Sequence, residues 1–221
     1  MKYCVNCLDT DTRPNSIFNS DGICKACEHS ISDHKNYDKS EKLQVLNNIV
    51  KEYKKNDNNF DCIIGISGGK DSTRQALWVR DKLKLKPLLV CCAYPPEQVT
   101  EIGAKNLSNL IDLGFDVIVT SPSPKFWKKM LLEGFYQGNY LRGPELALFS
   151  SLPQIAIKYK IKLIFWGENP SKIWNDSKAK SLKEYDGNIL RNSNTLKNCD
   201  YQWMKKLSND RSKIIPYIYP S

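Results

Sequence analysis

The sequence predicts an α/β protein, a doubly wound parallel sheet preceded by a small cysteine-rich unit. Three observations carry that prediction. Short apolar runs, FDCIIGI (60–66), PLLVCCAY (87–94), FDVIVT (115–120) and KLIFWG (162–167), alternate with stretches of helical periodicity. That is the pattern of strands buried on both faces and joined by helices. A glycine-rich turn, Ser67-Gly68-Gly69, falls between the first run and the helical stretch after it. Four of the eight cysteines lie within the first 27 residues, in two matched CxxC pairs.

Size and composition agree. The 221 residues suit one such domain with a small appendage, at roughly 100–200 residues per domain. Eleven Tyr, seven Phe and five Trp supply core material and exclude disorder over the whole length. No apolar run approaches the ~20 residues that span a bilayer, and the opening MKYCVNCLDTD has no apolar signal core. A soluble, cytoplasmic protein with no membrane partner is therefore expected. The formal charge is +9, but 27 of the 33 basic residues are Lys and the chain holds 19 Asn. That bias looks like AT-rich coding, so the charge reads as a solvated Lys-rich surface and nucleic acid is not the expected partner. The excess is greatest in residues 171–221, with 10 basic against 5 acidic.

Taken in order, residues 1–32 read as a turn-rich unit with a hairpin at Ser20-Asp21-Gly22. Residues 33–58 form a linker helix, with Leu43, Val45, Leu46, Ile49, Val50 and Tyr53 at helical spacing. Residues 59–170 hold the sheet domain. Its first helix, Asp71–Leu83, turns Leu77, Trp78 and Leu83 inward; the second, Thr100–Leu113, stops at Gly114, a favoured C′ residue. Lys125–Phe135 and Pro144–Tyr159 are two further helices before the fourth strand. Residues 171–221 read as a polar tail with weak helical marks at Leu182 and Tyr185 and at Trp203, Met204 and Leu207.

Two constellations carry chemistry. Cys4-Val-Asn-Cys7 and, sixteen residues on, Cys24-Lys-Ala-Cys27 each offer two thiolates from a tight knuckle. A hairpin of this length brings four sulfurs into one tetrahedral site, a structural zinc ribbon with no open coordination position. An iron–sulfur cluster is the rival for the same four ligands. The second constellation is Ser67-Gly68-Gly69-Lys70-Asp71-Ser72. It is no Walker A loop, since Asp71 stands where Ser or Thr should follow the lysine. Its content is still phosphate binding: adjacent glycines let backbone N–H groups approach an anion at a helix N-terminus. Ser67 and Ser72 add hydroxyls, Lys70 a mobile cation, and Asp71 a carboxylate able to hold Mg²⁺.

The string SGGKDS resembles the PP-loop of the N-type ATP pyrophosphatases, which include GMP, NAD and asparagine synthetases and the tRNA-thiolating enzymes. The resemblance implies a sheet of the adenine nucleotide alpha hydrolase type, cleavage of ATP to AMP and pyrophosphate, and ATP with Mg²⁺ as cofactors. Ile66, Ser67, Gly68, Gly69, Lys70 and Ser72 would bind the nucleotide, with Ala93, Tyr94 and Gly167 at the neighbouring strand ends. Lys70, Asp71 and Ser72 would be catalytic, Asp71 also as magnesium ligand. Other segments are similar to the N-acetyl sugar amidotransferases of surface-polysaccharide and nonulosonic acid (pseudaminic acid type) pathways. These are Asp11-Thr12-Arg13-Pro14 between the CxxC pairs, Phe18-x-x-Asp21-Gly22, Pro95-Pro96 with Thr100-Glu101-Ile102-Gly103, Leu113-Gly114-Phe115-Asp116, Pro153-Gln154-Ile155-Ala156 and Trp166-Gly167-Glu168-Asn169-Pro170.

That second resemblance implies an acetamido group converted to an acetamidino group on a sugar or sugar nucleotide. Arg142, Glu168 and Asn169 are the candidate substrate contacts. No nucleophilic cysteine sits beside a usable histidine, so ammonia is expected from a separate glutaminase subunit; a homodimer stays open. Members of that family continue past the segment that Pro216–Ser221 resembles, so residues 171–221 read as the start of a longer C-terminal region. Two other readings stay beside it: a thiolating tRNA enzyme, and a non-catalytic nucleotide-binding module. Cys62, Cys91, Cys92 and Cys199 read as small buried hydrophobes, His29 and His34 as surface residues, and Trp166 and Trp174 as packing.

Overall fold

The computed structural model describes residues 1–12, 16–36, 38–54, 59–95, 98–167 and 204–220. The chain forms two compact units, one holding Met1–Lys39, the other Ser40–Gly167 and Lys205–Pro220. In the first, short antiparallel bridges pair Tyr3 with Thr10 and Phe18 with Cys24, and helix α1 (Lys25–Asn36) follows.

The second unit begins with α2 (Lys39–Tyr53), whose first residue lies at the division. The predicted 33–58 helix is thus the end of one helix and the whole of another. Asp38 followed by Glu41 three residues later is a helix-start signature that a single long helix would have buried mid-run. The core elements then alternate: β1 (Cys62–Gly65), α3 (Lys70–Asp81), β2 (Pro87–Cys92), α4 (Glu101–Asp112), β3 (Val117–Thr120), α5 (Pro124–Tyr136), α6 (Arg142–Lys158) and β4 (Leu163–Phe165). All three strand pairings are parallel, in the order β3-β2-β1-β4. The chain therefore winds outward from β1 to β3, then crosses back to set β4 on the other side of β1. This is the doubly wound sheet that the alternating runs predict.

Both faces are covered, as the two-residue side-chain period of a strand requires. Cys62, Ile64 and Ile66 pack with Ala76 and Val79 of α3, Leu110 of α4 and Val50 of α2. Ile63 points the other way, with Leu88 and Val90 of β2 against Leu152 and Ala156 of α6. Leu77 and Leu83 join the first of these clusters. Trp78 does not: it is 39% exposed, against the inward placement the sequence predicts. Ala76 and Val79 define the buried face of α3, and the helical period carries residue 78 off it.

Helices α5 and α6 form a close hairpin through two glycines. A Cβ on Gly134 would stand 2.4 Å from the Asn139 carbonyl oxygen, and one on Gly143 would stand 2.8 Å from Met130 Cβ. The end of the chain packs on this hairpin rather than trailing as a polar tail. Leu207 of this unit and Met204, which falls in the first unit, are both marked by the sequence and both buried. Helix α7 (Arg211–Ile214) and a 3₁₀ turn (Ile215–Tyr217) bring buried Ile214 and Tyr217 into place. Gln154 Nε2 donates to the carbonyls of Ile215 and Ile218 at 2.7 Å each, and Tyr217 meets Phe126 edge to face at 5.4 Å. The sequence marks Leu207 but neither Ile214 nor Tyr217, because a four-residue helix followed by a 3₁₀ turn is too short for a helical period to show. The Leu182 and Tyr185 helix lies outside the described residues. No helix among the described residues is long and apolar enough to cross a membrane.

Gly134→Ala should lower unfolding free energy by about 1–3 kcal/mol, because the added methyl meets backbone that cannot swing aside. Gly114→Ala has open space around its Cβ and should show only the smaller cost of a left-handed alanine. Urea denaturation of the two variants checks the contrast.

Candidate functional site

In the N-terminal unit the first cysteine knuckle is closed by Cys4 N–H to the Asp9 carbonyl at 2.8 Å and by Leu8 N–H to the Cys4 carbonyl at 3.0 Å. The second sits at the start of α1, so Cys27 lies in a first helical turn. The turn between them is set by Asn19, whose Oδ1 accepts from Asp21 and Ile23 N–H at 3.0 and 2.9 Å. The four sulfurs all lie within 4.8 Å of one another. Cys4 and Cys27 Sγ are 4.0 Å apart, Cys7 and Cys24 Sγ 3.6 Å. A tetrahedron with Zn–S bonds of about 2.3 Å has edges of about 3.8 Å, so the donor set fits zinc in spacing as well as in kind. Burial opposes ionisation of Cys4, yet backbone hydrogen bonds from Cys7, Cys24 and Asn6 draw its thiol down to about 6. Burial and the neighbouring sulfurs push Cys24 up to about 12. A divalent cation would relieve that opposition.

In the sheet unit the glycine-rich loop leaves the carboxyl end of β1. Ile66 is buried and its N–H donates to the Val90 carbonyl at 2.9 Å, which carries the sheet one residue past the strand. Gly68 then takes φ +76, and a Cβ there would stand 2.9 Å from the Asn106 backbone. Both facts demand glycine. Gly69 caps α3 with no side-chain acceptor, so the first-turn N–H groups of Lys70, Asp71 and Ser72 face an anion site rather than a cap. The loop braces itself: Ser67 N–H donates to Ser72 Oγ at 3.4 Å, Ser72 Oγ donates to the Gly69 carbonyl at 3.2 Å, and Thr73 Oγ1 to the Gly68 carbonyl at 3.4 Å. Lys70 and Asp71 stand exposed on the first turn.

Strand pairing brings the other candidates to the same edge. Ala93 N–H donates to the Thr120 carbonyl at 2.8 Å, and exposed Tyr94 stands edge-on to Trp127 at 5.5 Å. On the far side of β1, Gly167 stands two residues past the end of β4. Gln75 Nε2 donates to the Trp166 carbonyl at 3.0 Å, while its Oε1 is buried without a partner among the described residues. This orphaned acceptor lies where the winding reverses, the place at which open α/β sheets bind ligands, and the site fits a nucleotide on that ground. Arg142 opens α6, with Nη1 donating to Gln137 at 2.9 Å in the α5–α6 connection. Glu168 and Asn169 lie outside the described residues.

The sequence reading gave no site role to Gln75 or Thr73, and took Asn106 only as part of a segment, Asn106-Leu107, similar to the amidotransferases. Its place at the loop had no local signal, because it acts by standing behind Gly68 from another helix. Burial pushes the Cys91 and Cys92 thiols up, and takes Cys62 to about 12, which keeps all three protonated and weakly nucleophilic.

No family model matches the chain. Over 91 residues, 39% of this chain, it is 34% identical to an uncharacterized protein of Methanocaldococcus jannaschii, MJ1599, of which it spans 31%. Among solved structures it is similar to an NMN synthetase from Francisella tularensis, with 18% identity, 84% of this chain and 76% of that chain covered, and a TM-score of 0.42. It is also similar to a predicted subunit of tRNA methyltransferase from Methanocaldococcus jannaschii, with 17% identity, coverage of 67% and 74%, and a TM-score of 0.36. Likenesses this distant carry no weight for activity, and the fold assignment rests on the chain's own strand pairing.

Two outcomes are expected. Elemental analysis of aerobically purified protein should give about one zinc per chain, and Cys24→Ser should release it while leaving the sheet unit's melting intact. Gly69→Val puts its Cβ no closer to a neighbour than 3.4 Å, from Ser67 Oγ, at a residue with ordinary negative φ. It should therefore fold normally yet lose the thermal protection that ATP confers on the parent.

Proposed function

We propose that this chain is an ATP-dependent amidotransferase of the N-type ATP pyrophosphatase kind, acting in the cytoplasm on an N-acetylated sugar or sugar nucleotide. The observation that carries the reading is the uncapped helix N-terminus behind Ser67–Ser72 at the carboxyl end of the central strand. Such a loop suits the β,γ-phosphates of ATP as a leaving group. The segments similar to N-acetyl sugar amidotransferases supply the acceptor.

The acetamido oxygen attacks the α-phosphorus and pyrophosphate departs. Ammonia then adds to the activated carbon and AMP leaves with the original oxygen, so an NH replaces that oxygen and an acetamidino group remains. Loop N–H groups, Ser67, Ser72 and Lys70 hold and neutralise the departing phosphates. Asp71, an exposed carboxylate on the first turn of α3, would hold Mg²⁺, and the ion would supply charge neutralisation as pyrophosphate leaves. Arg142, Glu168 and Asn169 are proposed to contact the acceptor, a separate glutaminase subunit to supply ammonia, and the product to enter surface-polysaccharide or nonulosonic acid synthesis. The protonated thiols of Cys91 and Cys92 favour amidation over the thiolating alternative, which needs a nucleophilic sulfur.

With an N-acetyl sugar nucleotide, an ammonium salt and MgATP, the protein should form AMP and pyrophosphate and no ADP. The product's mass should fall by the difference between O and NH. Asp71→Asn should lower turnover at least tenfold more than it weakens ATP binding. Formation of ADP, or pyrophosphate release stimulated by tRNA and not by any sugar, would sink the reading.

A further inference from the structure

Beyond the loop, α3 presents a further row of side chains, of which only Lys70 has a part in the proposed reaction. Lys70, Arg74, Trp78 and Lys82 recur every four residues and so stand on one face, in steps of about 6 Å. They form one wall of a groove of about 570 Å³ that runs between α3 and α4, with Asn106 and Asn109 on the other wall. The groove starts at Gly68, where the phosphate loop begins.

We propose that this groove is a second nucleotide-binding site, in which a base stacks on Trp78 and a diphosphate lies on Arg74. The half-exposed indole gives a base an apolar face to cover. Arg74, one turn toward the loop, offers a planar fork suited to phosphate. Lys82, one turn the other way, adds positive potential. Among the described residues, neither Arg74 nor Lys82 is held in an ion pair within 4 Å, whereas nearby Arg80 is spent on Asp81 at 2.7 Å and on the face of Phe115 at 4.5 Å. The Asn106 and Asn109 amides can donate to and accept from ribose hydroxyls or ring edges.

The groove's limits favour a small ligand over a polynucleotide. Its volume lies within the 300–1,000 Å³ usual for small-molecule sites. Asp81 closes the end away from the loop, and Asp112 ends α4 on that side, where Arg80 Nη1 reaches the Leu113 carbonyl at 2.6 Å. A phosphate chain continuing past Lys82 would meet those carboxylates. The ligand class is therefore a nucleoside diphosphate, free or carrying a substituent on its terminal phosphate. The inference stands apart from the sugar reading, because it concerns binding and not turnover.

Calorimetry on the full chain tests it. With the loop blocked by Gly69→Val, UDP or GDP should still bind at one site per chain; in the parent, a non-hydrolysable ATP analogue and UDP together should reach two nucleotides per chain. Trp78→Ala should weaken UDP at least tenfold, Trp78→Phe should restore most of the affinity, and Arg74→Ala should weaken it at least tenfold without relying on the indole. Comparing UDP with a UDP-linked N-acetyl sugar separates a free nucleotide from a nucleotide-linked substrate, and either supports the site. The proposal is overturned if Gly69→Val abolishes all nucleotide binding, or if Trp78→Ala and Arg74→Ala leave affinity unchanged. It is likewise overturned if inorganic pyrophosphate binds as tightly as UDP, or if a single-stranded RNA dodecamer binds tenfold more tightly through Trp78.

Discussion

The conformation of Gly68 is the constraint on which the sheet unit's chemistry depends. Its positive φ turns the chain sharply out of β1, and the Asn106 backbone behind it leaves no room for a side chain. The turn delivers Gly69 to the start of α3 as a cap with nothing to offer the first-turn N–H groups. Those donors are consequently aimed outward, at the edge where strand ends and loops converge. Most helices satisfy these groups with a serine, threonine or aspartate; this one leaves them for an anion.

Holding such a loop still is the work of the strand that carries it. β1 is hydrogen-bonded on both edges, to β2 and to β4, and Cys62, Ile63 and Ile64 have no exposed surface. Local opening at this position would break two ladders and two packed faces at once. Loop positions beside it inherit that rigidity, and Gln75 extends it by joining α3 to the end of β4. The α5–α6 hairpin, tightened by Gly134 and Gly143 and covered by residues 205–220, supports the opposite face.

The N-terminal unit solves a different problem. Among its described residues the apolar core is three buried cysteines with Phe18, Ile23 and Ala26 packed against them, small for a segment this polar. Four sulfurs at tetrahedral spacing offer a metal site that would replace that missing core, since metal binding contributes folding free energy directly. Cysteine thus has two roles in this chain: polarised by N–H donors near the N-terminus, and inert through burial in the sheet.

By itself the sequence determined the kind and order of the sheet unit's core elements, the glycine loop and the ligand set of the cysteine site. These are local properties: a two-residue period reads as a strand, a helical period as a helix, and CxxC as a knuckle, wherever they fall in space. It also carried, unread, the four-residue repeat of Lys70, Arg74, Trp78 and Lys82. Only the tertiary structure decided the order β3-β2-β1-β4, which sets Gly167 and Gln75 beside the loop and places the site where the winding reverses. Only it turned Trp78 outward, put Asn106 behind Gly68, and built residues 205–220 onto the α5–α6 hairpin. Each of these depends on which buried surfaces meet across long stretches of chain, and periodicity within a segment carries no information about its partner.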